Sequence, residues 1–354
     1  MMYSQGELIK NKISITRSKD IGRLYDRSHF GKKISNEHLE LDLIEGIYLL
    51  SESKISIFNK NIELKFEDLV KIAAKQIPNF EIKYLVFKDL RNRGHPIKLS
   101  EFEDTTDFYR FKQKKNDEST DTQFFMSVFS ERDILDFTKT SVLIKSTQKK
   151  NALLWFAIVD EEGDITYYNV SSFDAKGEIN INNFKKVSGF LLNNRIVIFE
   201  KKLSEDLLKK EFFGKPFGAG LQLSLVESMY LYNKGILKVQ TADGDSISKK
   251  DFRDILYKLQ PDLELRFKVY KDLKKRGFIV KTGFKYGAHF RVYAKHIGKG
   301  HADYLIHSID KKFKGTWADM SRAVRLAHSV NKEFVFAKVD NGFIEYIKLG
   351  RLRP

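Results

Sequence analysis

The sequence contains no cysteine. Its absence excludes a disulfide scaffold, a cysteine-ligated zinc site and a thiol nucleophile. The first residues lack the apolar stretch of a signal peptide, and the longest uninterrupted apolar run, from Ala152 to Val159, is far too short to cross a membrane. That run suits a buried strand. The sequence therefore predicts a cytoplasmic protein without a membrane partner.

Acidic residues are in the minority, with 47 Asp and Glu against 63 Lys and Arg and a formal net charge of +16. Such an excess attracts polyanions, most often nucleic acid and less often anionic membrane, although it can also serve solubility alone. The basic residues are densest around one acid, Asp272: Lys271, Lys274, Lys275, Arg276, Lys281, Lys285 and Arg291. Aromatic residues are interleaved there, at Tyr286, Phe290 and Tyr293. This mixture is typical of an RNA-binding surface, and the alternative is ordinary helix and strand packing.

The chain contains a diverged copy of itself. Four segments recur in the same order about 180 residues further on: His29–Lys32 as Phe212–Lys215, Glu45–Tyr48 as Glu227–Tyr230, Phe87–Gly94 as Tyr270–Gly277, and Trp155–Asp160 as Val335–Asp340. The period is too long for a solenoid unit and has the size of a domain. We therefore predict two tandem copies of one fold.

Each copy is predicted to be a mixed α/β unit with an N-terminal helical or mixed subdomain and a C-terminal sheet subdomain. The first repeat is assigned to residues 1–175 and the second to residues 176–354, with a catalytic subdomain at about 262–354. The join falls in a polar, turn-rich stretch between about residues 170 and 195.

Hydrophobic periodicity predicts the main elements. The predicted helices are Glu40–Leu50 and Leu221–Leu231, Phe66–Ala74 and Phe252–Leu259, a matched Lys-Asp-Leu helix ended by Gly94 or Gly277, and Trp317–Ala327. The predicted strands are Lys54–Phe58, Ile236–Val239, Phe278–Thr282, His289–Tyr293, Tyr304–Ile306 and Phe334–Val339, the last followed by a turn at Asp340–Gly342.

Only the second copy carries a plausible set of reactive side chains, namely Tyr293, His301 and Lys332. Alignment of the copies puts these residues opposite Phe111, Asp121 and Ala152. Taken singly, each has an ordinary explanation as a strand aromatic, a surface histidine or a solvated lysine. Core residues should persist in both copies because both must pack, so the joint loss of three groups favours chemistry.

The chemistry of these three groups suits RNA cleavage without a metal ion. That reaction needs a base for the 2′-OH proton, an acid for the leaving 5′-oxygen and a cation for the phosphorane charge. His301 suits the acid. A tyrosine phenol has a high pKa and serves as base only if a nearby cation such as Lys332 stabilises the phenolate.

Three segments of the second copy, Lys281–Tyr293, His301–Ile306 and Val324–Lys332, resemble the archaeal tRNA-splicing endonucleases. The order Tyr, His, Lys matches that family's catalytic triad, and a weaker match extends through the first copy. The resemblance implies cleavage of precursor tRNA at the two bulges of a bulge-helix-bulge, with 2′,3′-cyclic phosphate and 5′-OH ends. It implies no cofactor and no metal, with Tyr293 as general base, His301 as general acid and Lys332 as the stabilising cation.

The resemblance also implies a homodimer with two active and two scaffold copies. Arg325 falls where the family places an arginine that stacks on a bulge base, and its first-copy counterpart is Lys145. The acidic turn of the first copy, Asp160, Glu161, Glu162 and Asp164, corresponds to a loop that inserts into the partner's catalytic copy. No role is assigned to His296 or Lys299 in the variable loop.

Two alternatives remain open. A metal-dependent nuclease is faintly suggested by Pro261–Arg266, although the spacing of its acids departs from the restriction-enzyme signature and Arg266 replaces the lysine. A non-catalytic RNA-binding scaffold subunit of an RNA-processing complex is the other, and retention of Tyr293, His301 and Lys332 argues against it. Activity of the purified chain in EDTA distinguishes the three.

Overall fold

A computed structural model describes residues 4–100, 106–111, 122–179, 185–295 and 302–354. The chain divides into two compact units. Unit 1 comprises Met1–Ser171, Gly315–Ala318 and Arg351–Pro354, and unit 2 comprises Ser172–Lys314 and Asp319–Gly350. No helix in the described part of the chain is long and apolar enough to cross a membrane.

The N-terminal part of unit 1 packs helices on a six-stranded sheet. Its elements are β1 (Ser4–Ile9), β2 (Lys12–Ile15), α1 (Ser18–Ile21), β3 (Lys32–Ser35), β4 (His38–Leu41), α2 (Leu43–Ser51), β5 (Ile55–Asn59), β6 (Ile62–Glu63) and α3 (Phe66–Gln76). The strand order is β3-β4-β2-β1-β5-β6, and only β1 and β5 pair in parallel.

The C-terminal part of unit 1 is a mixed sheet with helices. Its elements are α4 (Phe80–Asn92), β7 (Lys98–Leu99), β8 (Phe108–Phe111), β9 (Thr122–Ser130), α5 (Phe137–Lys149), β10 (Leu153–Val159) and β11 (Ile165–Ser172). The strand order is β11-β10-β9-β8-β7, and β9 and β10 are parallel because α5 crosses between them.

Unit 2 repeats both parts. Its N-terminal elements are β12 (Val187–Leu192), β13 (Arg195–Ile198), α6 (Lys201–Lys210), β14 (Lys215–Phe217), β15 (Gly220–Leu223), α7 (Leu225–Asn233), β16 (Leu237–Gln240) and α8 (Lys249–Leu259). The sheet order is β14-β15-β13-β12-β16, with β12 and β16 parallel.

The C-terminal elements of unit 2 are α9 (Leu263–Lys275), β17 (Ile279–Thr282), a 3₁₀ turn (Phe284–Tyr286), β18 (Phe290–Tyr293), β19 (Tyr304–Asp310), α10 (Trp317–Ser329), β20 (Glu333–Asp340) and β21 (Phe343–Leu352). The strands follow the order β17-β18-β19-β20-β21. Only β19 and β20 are parallel, with α10 as their crossover. The predicted mixed α/β fold class, with two copies of one unit, is confirmed.

Two of the predicted helices begin too early. Glu40 and Leu41 belong to β4, and Leu221–Leu223 belong to β15. Asp42 and Ser224 are N-caps with extended backbones, and each closes a capping box with the glutamate three residues later. Because the cap residue is extended, the strand runs directly into the helix. A single apolar pattern in the sequence therefore covers both the end of the strand and the helix. Of the two forms predicted for the N-terminal subdomain, helical or mixed, the structure has the mixed one, because both copies build it on a sheet.

The repeated Phe-Gly-Lys segment is explained by a junction that recurs in each unit, in which a glutamate and a lysine bind the backbone of the same glycine. The Glu227 carboxylate accepts hydrogen bonds from the Gly214 amide at 3.0 Å and the Lys281 ammonium at 3.3 Å, while Lys281 also donates to the Gly214 carbonyl at 2.8 Å. Gly214 has φ +65°, and a Cβ there would lie 2.7 Å from a backbone oxygen, so glycine is required.

Unit 1 repeats this junction with Glu45 and Lys98, which bond to the amide and carbonyl of Gly31 at 2.8 and 2.6 Å. Each junction ties a helix of the N-terminal part, α2 or α7, to the first strand of the C-terminal sheet, β7 or β17. Because both copies retain it, the junction serves folding.

The repeated Lys-Asp-Leu helix carries a second shared network. Asp272 accepts hydrogen bonds from the Tyr346 hydroxyl and from Arg276, both at 2.8 Å. In unit 1, Asp89 accepts from the Tyr167 hydroxyl at 2.7 Å and from Arg93 at 2.9 Å. Burial and the neighbouring carboxylate raise the pKa of Tyr346, which keeps the phenol protonated as a donor. Both networks hold a helix against its sheet.

Candidate active site

One end of the second C-terminal sheet gathers the candidate site, and Asp303 joins its strands. The Asp303 amide donates to the Val292 carbonyl at 2.9 Å, and its carbonyl accepts from Glu333 at 3.1 Å. The Asp303 carboxylate also accepts from the Ala294 amide at 2.8 Å. One residue thus fastens the end of β18 and the start of β20 on either side of β19.

These bonds bring Tyr293 and Lys332 to the same end of the sheet. Tyr293 lies between Val292 and Ala294, the two residues that Asp303 binds, and Lys332 immediately precedes Glu333. Two strand spacings separate β18 from β20, which is roughly 10 Å. A nucleotide and its phosphate can span that distance.

Tyr293 is held by packing around its ring. Its side chain is 8% exposed and clusters with Ile279 and Ala302, with Ile179 and Phe212 beside them. Packing on several sides fixes the direction in which the phenol points. A fixed orientation is what a proton-transfer group requires.

Lys332 follows a left-handed residue at the end of α10. Asn331 has φ 55°, and the Lys332 amide donates back to Ala327 at 3.0 Å. The half-buried Lys332 ammonium donates to the Val330 carbonyl at 3.1 Å and lies 5.5 Å from the ring centroid of Tyr286. The ammonium therefore retains donors for an anionic ligand.

His301 lies outside the described residues, as do His296 and Lys299. The next residue, Ala302, belongs to the cluster around Tyr293. His301 remains a prediction from the sequence.

Strand register supports the alignment of the two copies. Phe108 pairs with Met126 as Phe290 pairs with Ile306. That register places Phe111 of β8 at the position of Tyr293.

The parallel strands extend the same comparison. Leu153 pairs with Phe124 as Glu333 pairs with Tyr304. Ala152 therefore occupies the position of Lys332, again after a left-handed asparagine. The backbone of the site exists in both units, and unit 1 lacks the phenol and the ammonium. The third counterpart, Asp121, is outside the described residues.

Arg325 lies on the exposed face of α10, seven residues before Lys332. Its neighbours Val324 and Ala327 are buried and fix the helix on the sheet. The Arg325 side chain is consequently presented to solvent near the end of the helix that leads into Lys332. This placement leaves its guanidinium accessible to a substrate.

The acidic turn connects β10 and β11, and its four acids differ in their surroundings. The Asp160 carboxylate accepts from the amides of Glu162 at 3.1 Å and Asp164 at 2.8 Å, so it shapes the turn itself. Glu161 pairs with Arg132 at the surface. Glu162 and Asp164 are exposed. The last two are the acids best placed for a partner.

The basic segment does not form one continuous exposed surface, because several of its members lie in the interior. Lys274 is buried with its ammonium 4.7 Å from the Phe213 ring, Lys281 belongs to the recurring junction, and Phe290 is buried. Burial lowers the pKa of Lys274 to about 8. The sequence could have indicated a structural role for Lys281, because its counterpart in the first copy is also a lysine, Lys98. The exposed cations are Lys271 and Lys275 on α9 and Lys285 in the turn after β17.

Sequence reasoning also missed a pair of stacked histidines beside this turn. The rings of His289 and His307 lie 4.0 Å apart with 21° between their planes. Burial lowers the pKa of both imidazoles, that of His289 to about 3, with the nearby positive charge of Arg266 adding to each shift. The His289 Nδ1 atom accepts from the Ser308 amide at 3.0 Å, so the pair is part of the sheet's structure.

The acidic residues that suggested a metal-dependent nuclease, Asp262 and Glu264, pair with different basic side chains. Asp262 accepts from Arg266 at 2.7 Å and lies 4.0 Å from His289, and Glu264 pairs with Lys268 at 3.0 Å. Among the described residues, no group of three or more His, Cys, Asp or Glu side chains is arranged to hold a metal ion.

Comparison with known families matches both parts of each copy. The N-terminal domain of the tRNA intron endonucleases matches residues 4–70 and 187–253. The catalytic C-terminal domain of the same enzymes matches residues 80–167 and 263–346.

Individual relatives agree along the whole chain. A tRNA-splicing endonuclease of Methanococcoides burtonii is 35% identical over 358 residues, which covers 99% of each chain. One of Methanosarcina barkeri is 33% identical over 98% of this chain and 99% of its own. A tRNA-splicing endonuclease of Hyperthermus butylicus is 35% identical over 161 residues, 43% of this chain and 89% of its own.

The chain belongs to the tRNA intron endonuclease family, and it carries the two domains of that family twice over. The resemblance read from Lys281–Tyr293, His301–Ile306 and Val324–Lys332 is confirmed. So is the prediction of an endoribonuclease.

Proposed function

We propose that this protein cleaves precursor tRNA at both intron boundaries within a bulge-helix-bulge, without a divalent metal, leaving 2′,3′-cyclic phosphate and 5′-OH ends. One observation carries the proposal. Asp303 fastens Tyr293 and Lys332 to one end of the second sheet, and the same positions of the first copy hold Phe111 and Ala152.

Each proposed residue has one part in the transesterification. Tyr293 removes the 2′-OH proton, and the 2′-oxygen then attacks phosphorus. The bond from phosphorus to the 5′-oxygen breaks as His301 protonates that oxygen. The Lys332 ammonium stabilises the charge that grows on the non-bridging oxygens.

The proposed homodimer follows from the different roles of the two copies. We assign unit 2 as the catalytic copy and unit 1 as the scaffold, with the boundary near residue 175. Two chains then form a homodimer with two active sites, one for each intron boundary. The exposed Glu162 and Asp164 of the acidic turn dock against a basic cleft of the partner subunit, and Arg325 stacks on a bulge base.

Cleavage of an intron-containing precursor tRNA by the purified chain tests the activity. We expect equal single-turnover rates in Mg²⁺ and in EDTA with cobalt hexammine, whose ammine shell maintains RNA folding without exchanging ligands. The 5′ ends should accept phosphate from a kinase without prior phosphatase treatment. Activity that EDTA removes and stoichiometric Mg²⁺ or Mn²⁺ restores contradicts the metal-free mechanism.

Two substitutions distinguish a catalytic role from a general effect of positive charge on RNA binding. Lys332→Ala should lower the saturating rate about 10²- to 10³-fold, as expected for loss of a charge-stabilising group. His301→Ala should lower it about 10²- to 10⁴-fold. Lys311→Ala is the matched control, because it removes the same charge about 20 Å away, at the other end of β19. Equal rates for the Lys311 and Lys332 variants contradict the assignment of Lys332, whereas absence of cleavage by the wild-type chain favours a scaffold that only binds RNA.

A further inference from the structure

The turn between β17 and β18 displays an aromatic ring to solvent beside the proposed catalytic residues. The Phe284 side chain is 88% exposed, the largest exposed fraction among the large hydrophobic residues that the structure describes. A ring so exposed contributes little to the hydrophobic core. Its position calls for an explanation outside the packing of the fold.

The turn is rigid, so the ring is presented on a fixed support. The amides of Tyr286 and Gly287 donate to Gly283 and Phe284 at 2.8 and 3.2 Å, and the Gly283 amide donates to His289 at 3.0 Å. A Cβ at Gly283 would lie 2.8 Å from the backbone of Phe290, so only glycine closes the turn.

Two contacts anchor this turn within the candidate site. The His307 imidazole makes a hydrogen bond to the backbone of Gly287. The Tyr286 ring lies 5.5 Å below the Lys332 ammonium. Phe284 is two residues from Tyr286, hence at most about 8 Å away along the chain. A nucleotide whose phosphate binds Lys332 can therefore place a base near Phe284.

The first copy has the opposite charge in the corresponding stretch of sequence. Register aligns Leu99 and Phe108 with Thr282 and Phe290 as the residues that bracket the turn. The intervening sequence carries three acids around Phe102 in the first copy, at Glu101, Glu103 and Asp104, and in the second it carries Phe284 and Tyr286 around a cation, Lys285. Three carboxylates repel a phosphate backbone, whereas an aromatic face with a cation attracts an unstacked nucleotide.

We propose that Phe284 is a stacking platform for an unpaired base of the substrate RNA, next to the phosphate held by Lys332. This inference rests on the proposed function, and it adds a recognition element on unit 2 itself. Exposed Lys285 provides a phosphate contact beside the ring. The platform selects unpaired nucleotides because a base within a helix cannot offer its face.

Phe284 variants of the full chain test the platform. Phe284→Ala and Phe284→Leu should each lower subsaturating cleavage of precursor tRNA about 10- to 100-fold, and Phe284→Trp should preserve it, because stacking needs a π face. Phe343→Ala is the matched control: its ring is 83% exposed and lies about 23 Å along β20 from Lys332.

Binding is read separately with 2-aminopurine at the unpaired positions and 2′-deoxy sugars at the cleavage sites, which remove the nucleophile. Wild-type protein should quench the probe, and Phe284→Leu should not. A Leu variant with wild-type rate and quenching overturns stacking. An Ala variant whose lost activity follows a lost dimer in sedimentation assigns the ring to a subunit contact and also overturns it. If wild-type protein fails to cut the natural RNA, the proposed function fails, whereas quenching still reports on Phe284.

Discussion

The stacked histidines of unit 2 make its stability depend on pH in a calculable way. His289 is 14% exposed and its Nδ1 atom accepts the Ser308 amide, so the folded protein holds it neutral. Burial, together with the charges of His307 and Arg266, lowers its pKa to about 3 against the opposing effect of Asp262. The ordinary value is 6.5.

The direction in which stability changes with pH follows from the number of protons that each state binds. Between about pH 6.5 and pH 3 the unfolded chain binds a proton at His289 and the folded chain does not, so the free energy of unfolding falls as the pH falls. At pH 5 the loss from this one group is about 2 kcal/mol, from 1.5 pH units at about 1.4 kcal/mol each.

The test compares wild type with His289→Asn. Asparagine keeps an acceptor for the Ser308 amide, as the carboxylate of Asp107 does for Val128 in unit 1 at 2.7 Å. Other groups titrate in both proteins and cancel. Between pH 7 and pH 5, wild type should lose about 2 kcal/mol more than the variant in urea unfolding.

Circular dichroism should follow this unfolding, because the helices and strands of unit 2 contribute to it directly. Exchange of the Ser308 amide gives a local reading, since a protonated Nδ1 no longer accepts its hydrogen. Identical pH dependence in the two proteins refutes the reasoning.

Three further predictions concern recognition, assembly and folding. Arg325→Lys should lower cleavage of bulged RNA several-fold despite the retained charge, because only the planar guanidinium stacks on a base, and equal single-turnover rates would leave simple charge as the explanation. Replacing Glu162 and Asp164 with Gln and Asn should weaken the dimer about tenfold or more in sedimentation while leaving the fold intact, and an unchanged dissociation constant makes the turn an ordinary hairpin. Glu227→Gln should lower the free energy of unfolding by about 3 kcal/mol because it leaves the Lys281 charge buried without its partner, and a loss below about 1 kcal/mol in urea contradicts that account.

The internal repeat let the sequence alone determine much of this protein. Two copies must satisfy the same packing, so the matched segments identified shared structure. The Lys-Asp-Leu helices end at glycines with φ +82° and +85°, as predicted. The turn at Asp340–Gly342 and the buried strand within Ala152–Val159 were also predicted correctly. Local spacing and glycine chemistry suffice for such features because their causes lie within a few residues.

Only the tertiary structure separated interior cations from exposed ones. Lys274, Lys281 and Lys285 look alike in the sequence. The first two are buried against Phe213 and Glu227, partners that are distant in the chain, and only Lys285 faces solvent. Likewise the apolar pattern of Leu221–Leu231 does not by itself mark where the strand gives way to the helix. The capping box of Ser224 and Glu227 sets that boundary, and the Gly214 amide in turn binds the Glu227 carboxylate.

The candidate site shows the same division. Comparison of the two copies identified Tyr293 and Lys332 from the sequence alone, because a side chain that only one copy retains is not required for packing the fold. Their placement at one end of the sheet depends on Asp303, and the exposure of Phe284 depends on the closed turn around Gly283. The sequence specifies the residue types of the site, whereas the distances between these residues arise only when strands far apart in the chain pair in one register.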